Sequence, residues 1–260
     1  MENKGTKYKE DYLTGVIVKI DFSNILKLSG NNKEAADEFG KYIFNEFPNV
    51  NVRVNNNINV KYDGNNIQTV MENGDFTWIF LDSNNTREVA LNAESLILQY
   101  KKGAYTWFNQ VLEDIAFLLD GLEYYYPFEF KAINLRYINQ INEEVINEEN
   151  IKEYINPALT DNIIFDLDDD EKLSQILTRL DLIKDNYKLT FQYGFFNPSF
   201  PDPNFKKDFI LDFDCKLRDM NLIKSKEDII NELKKMSTFI FNKFKYSITD
   251  KLEELMGEEK

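Results

Sequence analysis

Four polar residues stand in two segments that otherwise read as strands. Asn134-Leu-Arg-Tyr-Ile-Asn-Gln-Ile141 alternates like a half-buried strand, yet it contains Arg136 and Asn139. In Phe209-Ile-Leu-Asp-Phe-Asp-Cys-Lys-Leu217, Asp212 and Asp214 are two residues apart. On a strand they share one face, about 7 Å from each other. Two carboxylates so placed hold Mg²⁺ or Mn²⁺ if Asp208 or a neighbouring strand adds oxygens. Their ordinary use is a polar strand face paired to Lys or Arg across the ladder, and a D-x-D pair alone is a weak signal. Arg136 either pairs with Asp212 or Asp214 or clamps an anionic ligand with its two-pronged guanidinium, and the ion pair is the favoured expectation. Asn139 falls on the same face as Ile133, Leu135 and Tyr137, where an amide is expected to end the strand or bond the following turn. Asn134, Arg136 and Ile138 face away. Arg136, Asn139, Asp212 and Asp214 are therefore the candidate ligand-binding residues. No catalytic or metal-ligating residue is assigned, and no cofactor is expected.

What is missing narrows the chemistry. The chain has no histidine and a single cysteine, Cys215. That removes imidazole acid–base catalysis, Ser-His-Asp and Cys-His nucleophiles, His- or thiolate-built zinc sites and iron–sulfur clusters. It also removes any internal disulfide. Cys215 shares a face with Phe209, Leu211, Phe213 and Leu217 and reads as a buried small hydrophobe. Neither G-x-G-x-x-G nor a G-K-[ST] phosphate loop occurs. The acidic run Asp166-Leu-Asp-Asp-Asp-Glu171 lacks the glycine and register of an EF-hand and reads as a solvated loop. Glu143, Glu144, Glu148 and Glu149 flank an expected helix start, where negative charge is stabilising. The aromatics Tyr124-Tyr-Tyr126, Phe195-Phe196, Trp78 and Trp107 lack basic neighbours, so core or protein interface is their expected use.

A net charge of −14 over 260 residues, with lysines and arginines scattered, argues against general nucleic-acid binding. With 43% apolar and 29% charged residues, the composition is that of a globular protein. No apolar run approaches the roughly 20 residues that span a bilayer. The opening MENKGTKYKEDY has no signal-peptide core, so a cytoplasmic location is expected.

The elements that must position these residues are legible from periodicity. Leu13–Phe22 reads as a strand rich in β-branched residues. A helix follows Asn31-Asn32, with Ala35, Ala36, Phe39, Ile43 and Phe47 on its apolar side, and Pro48 stops it. Residues 49–75 are Asn-rich and suit an edge strand or two and a loop. Runs at 77–81, 87–91 and 95–101 read as an antiparallel meander. Tyr105–Leu122 is a strongly apolar helix that must lie against a sheet, with Trp107 counted on its apolar face. The pattern then restarts. A strand is expected at 128–141, a short helix at 148–155 before Asn156-Pro157, strands at 176–183, 187–193 and 209–217, and a long helix from Ser225 to about Met256. Ser225 with Asp228 forms a capping-box-like start.

The expected fold class is thus α+β, as two tandem units of strand, helix, antiparallel meander and long amphipathic helix. Each unit is a curved antiparallel sheet packed on its long helix. They span residues 1–127 and 128–260 and are closely associated through the strands at 13–22 and 128–141. A single mixed sheet with helices on one face is the alternative.

Several segments together resemble a sporadically distributed family of uncharacterised bacterial and archaeal proteins. They are TGVIVKIDF at 14–22, AYTWFNQVL at 104–112, LRYIN at 135–139, INPAL at 155–159, ILDFD at 210–214 and ITDKLEELM at 248–256. The resemblance covers nearly the whole chain in order. It departs at Thr14-Gly15, where the family usually carries an acidic residue. It implies no activity; the family's patchy distribution points to mobile or defence-associated loci.

The leading expectation is a non-enzymatic binding protein that recognises another protein, or itself, through the sheet surface or the groove between halves. A regulatory or antitoxin-like role is one version of it. The alternative is a Mg²⁺- or Mn²⁺-dependent enzyme or sensor of an anionic small ligand, using Asp212, Asp214 and Arg136.

Overall fold

The computed structural model describes residues 8–29, 32–54, 76–161, 163, 168, 171–202 and 206–257, and the backbone course of 57–62 and 67–72. Eleven strands occur in it: β1 (Leu13–Phe22), β2 (Asn49–Val54), β3 (Asn57–Tyr62), β4 (Ile67–Glu72), β5 (Phe76–Leu81), β6 (Arg87–Leu91), β7 (Ser95–Lys101), β8 (Phe130–Ile141), β9 (Ile176–Lys184), β10 (Tyr187–Phe196) and β11 (Asp208–Leu217). Nine of them form one sheet in the order β2-β5-β6-β7-β1-β8-β11-β10-β9, while β3 and β4 pair separately. Every pairing is antiparallel. The fold is α+β, with an antiparallel sheet in place of the mixed-sheet alternative.

The central pair is β1 with β8, whose register sets Ile17 opposite Arg136. On one face, β1 buries Val16, Val18, Ile20 and Phe22, and β11 buries Phe209, Leu211, Phe213, Cys215 and Leu217. Three helices cover that face: α1 (Lys33–Ile43), α2 (Phe108–Tyr125) and α5 (Lys226–Ser247). Their contacts are Phe39 of α1 on Phe80 of β5, Phe108 of α2 on Tyr137 of β8, and Phe244 of α5 on Phe213 of β11. The short helices α3 (Ile151–Tyr154), α4 (Pro157–Thr160) and α6 (Asp250–Met256) complete the layer. Among the described residues, no helix is long and apolar enough to cross a membrane.

Local chemistry explains the boundaries. The Asn32 side chain caps α1 by accepting the Ala35 N–H, and Ser225 and Asp228 form the reciprocal capping box of α5. Gly121 sits inside α2 despite its cost to helix stability, because a Cβ there would meet Tyr42 Cδ1 at 2.5 Å. The room it leaves lets Tyr42 stack on Phe117 and α1 approach α2.

Four expectations are corrected. The helix expected to run from Ser225 to Met256 is two helices, because Ile248 leaves the helix to form a β-bridge with Ile155 and Thr249 caps α6. The short helix expected at 148–155 is the single turn Ile151–Tyr154, and Pro157 opens a separate turn, α4, at its first position, where its missing N–H costs nothing. Trp107 is the residue before α2 and is 61% exposed, so it lies outside the apolar face. The region after Pro48 holds three strands, β2 to β4, not one or two. The acidic run at 166–171 lies mostly outside the described residues; within it, the Asp168 N–H donates to Glu171.

Candidate functional site

β8 and β11 pair with Arg136 directly opposite Asp214 and Ile138 opposite Asp212. On the face away from the helices, the three acids of β11 each meet a side chain of β8. Gln140 Nε2 donates to Asp208 Oδ2 at 2.5 Å, and Asn134 Nδ2 to Asp214 Oδ1 at 3.5 Å. Arg136 reaches diagonally to Asp212, its Nε 2.8 Å from Oδ1 and its Nη2 2.5 Å from Oδ2. This two-pronged, charge-assisted pair engages both oxygens of a carboxylate whose side chain is only 10% exposed. The hydrogen bonds that Arg136 donates to Asp212 raise its pKa despite partial burial, with the charge of Asp214 adding to the effect.

The structure therefore brings Arg136, Asp212 and Asp214 together, but on a strand surface tied by internal bonds. Among the described residues there is no group of three or more His, Cys, Asp or Glu side chains placed to hold a metal ion. Asn139 points to the helix-covered face and is buried at 7% exposure. Its Nδ2 donates to the Leu211 carbonyl at 3.3 Å, so it braces β8 against β11 two residues before the strand ends and does not terminate it. Beside it, Thr14 is the extra residue of a bulge between Leu13↔Asn139 and Gly15↔Ile138, and its hydroxyl donates to the Ile138 carbonyl. The glutamates around 143–149 serve as ion-pair partners, Glu144 to Lys206 and Glu148 to Lys207.

Two features escaped sequence reasoning. The first is a buried charge cluster at the other end of the sheet. Arg87 of β6 donates to Asp114 of α2 at 2.8 Å, to Glu46 at 3.0 Å and to Asp82 at 3.5 Å, with its guanidinium over the Phe47 ring. Asp114 also accepts from the Tyr100 hydroxyl at 2.5 Å and from Gln110 at 3.0 Å. Burial and the bond to Asp114 push the Tyr100 pKa far up; burial opposes the charge on Arg87, but Glu46 and Asp114 outweigh it and raise its pKa. The signal was present: Arg87 shares a strand face with Val89 and Leu91, and Asp114 lies on the apolar side of its helix with Val111 and Leu118. A charge on an apolar face demands a partner.

The second feature is a row of lysines that only the register reveals. Across the open face, Lys19 of β1 stands opposite Asn134 of β8, Asn134 opposite Lys216 of β11, and Lys216 opposite Lys188 of β10. Lys19 and Lys188 have carboxylate partners in Asp21 and Asp181. Lys216 is exposed and has no such partner among the described residues. Comparison of the chain with models of known protein families and with curated proteins finds no match.

Proposed function

We propose that this is a binding protein whose open sheet face receives an acidic segment of another protein. The observation that carries the reading is Lys216 set directly opposite Lys188. Like charges opposed across a ladder destabilise a sheet by a few tenths of a kcal/mol, and a partner's carboxylate laid over them reverses the sign. With Lys19 two strands away, three ammonium groups span about 15 Å along one row at the usual strand spacing. The rows on either side carry Asp214 and Asp181, and Asp21. A continuous phosphate backbone would meet these acids, so a protein segment with a few aligned carboxylates fits better than a nucleic acid. The bonds within the Arg136–Asp212 pair support the same reading, because both oxygens a metal would need are already engaged.

The finer architecture belongs to this proposal. The order β5-β6-β7-β1 followed by β8-β11-β10-β9 supports two similar units, residues 1–127 and 128–260, joined through β1 and β8. The resemblance to a sporadically distributed family supports a regulatory or antitoxin-like part in a mobile or defence-associated locus.

The test compares proteins captured from native lysate by wild type, by Lys188→Glu/Lys216→Glu, and by Lys234→Glu on the exposed side of α5. A stoichiometric partner should be held by wild type and Lys234→Glu, be released by salt and be lost from the double variant. Lys216→Gln alone should raise stability by about 0.2–1 kcal/mol. Capture that is indifferent to the double charge reversal, or a Lys216→Gln protein less stable than wild type, refutes the reading.

A further inference from the structure

The two edges of the sheet are built differently. At one side β9 is guarded by charge, with Arg179, Asp181 and Lys184 in the strand and Asp181 paired to Arg179 and Lys188. At the other side β2, Asn-Val-Asn-Val-Arg-Val, has no proline, no lysine and no carboxylate, and it pairs with β5 without a bulge. All six of its residues are exposed, with Val50, Val52 and Val54 at 51%, 47% and 43%. These valines lie opposite Phe80, Trp78 and Phe76, on the face the helices cover elsewhere. Phe44, one residue past α1, is 57% exposed. Tyr42 turns towards α2, so helical periodicity places Phe44 on the flank of α1 away from α2. The same margin holds Trp78, whose buried indole N–H has no acceptor among the described residues.

We propose that β2 is the contact edge of a homodimer, in which the β2 strands of two copies pair antiparallel and continue the sheet across a two-fold axis. The strand is self-complementary. Any antiparallel register that keeps both helix layers on one side must set even-numbered residues opposite even-numbered ones, so valine always meets valine. With Val52 on the axis, Val50 faces Val54 and Asn51 faces Arg53, and no two arginines are opposed. Charge also selects this edge. In a chain of net charge −14, β2 is a stretch along which two copies approach without carboxylate facing carboxylate. A six-residue edge lies at the small end of protein interfaces, so a dissociation constant on the order of micromolar is expected.

Sedimentation velocity of the full chain from about 1 to 200 µM tests this. The mass should rise from 30.7 kDa towards twice that value with concentration. Val52→Lys, which sets two ammonium groups against each other on the axis, should be monomeric throughout with wild-type melting, and Val54→Lys should act in the same direction. Ile183→Lys, at the exposed position on the opposite edge, should dimerise as wild type does. The proposal is overturned by a wild-type chain that stays monomeric over the whole range, by lysine variants of β2 that dimerise normally, or by loss of the dimer in Ile183→Lys. None of these outcomes depends on whether the open face binds a partner.

Discussion

Replacing Arg136 by methionine tests whether the β8–β11 pair is a structural tie. The substitution keeps much of the aliphatic stem but leaves Asp212, 10% exposed, without its guanidinium. Breaking a fully buried pair by removing one partner costs about 3–5 kcal/mol, and an exposed pair contributes about 0–1 kcal/mol. The Arg136 side chain is 42% exposed and its partner nearly buried, so the cost should fall between these limits, at about 2 kcal/mol. For a chain of this size that is a drop of about 4–8 °C in melting temperature. Asp212→Asn keeps the shape and leaves an arginine that can turn to water, so it should cost about 1 kcal/mol. The double variant should lose less than the sum, with a coupling energy of about 1–1.5 kcal/mol. Urea denaturation of the four proteins at low and high salt measures this. A coupling energy below about 0.5 kcal/mol would show that the pair seen in the structure contributes no specific tie. A double variant more stable than wild type would carry the reasoning further into error, since it would mean that desolvation of Asp212 outweighs the pair.

Two further outcomes follow from the buried ionisable groups. Arg87→Met leaves Asp82 and Asp114 buried without a cation, and it should destabilise by about 3–5 kcal/mol in thermal or urea unfolding; adding Asp114→Asn should recover part of that loss, and a neutral Arg87→Met would contradict the network. The second concerns pH. Burial, with Asp214 nearby, pushes the Cys215 thiol from 9.0 up to about 12, and burial also raises Tyr100, Tyr137 and Tyr187. Folded pKa values above the unfolded ones mean stability that is complete below about pH 9 and is lost as pH rises, each fully affected group costing about 1.4 kcal/mol per pH unit. The urea midpoint should therefore fall from pH 9 upward, and Cys215→Ala should delay the onset to about pH 10, where the tyrosines begin to titrate. A midpoint flat between pH 9 and 11 would be inconsistent with these groups being buried in the folded state only.

The sequence alone determined the elements and their faces, because both depend on local periodicity. The β1 boundaries, the capping box of Ser225 and Asp228, the burial of Cys215 and the outward turn of Arg136 were all legible from spacings of two or 3.6 residues. The same reasoning reached too far where a tertiary contact overrode periodicity, as when Ile155 draws Ile248 out of the long helix. The register decided the rest. Which acid of β11 Arg136 would take, that Lys216 faces Lys188, and that Arg87 gathers carboxylates from three separate stretches of chain all depend on pairings between residues distant in the chain. A one-residue slip between strands would leave each strand's own pattern unchanged and alter every one of these neighbours. The edge exposed at β2 is likewise a property of strand order, set by where the nine strands stop pairing.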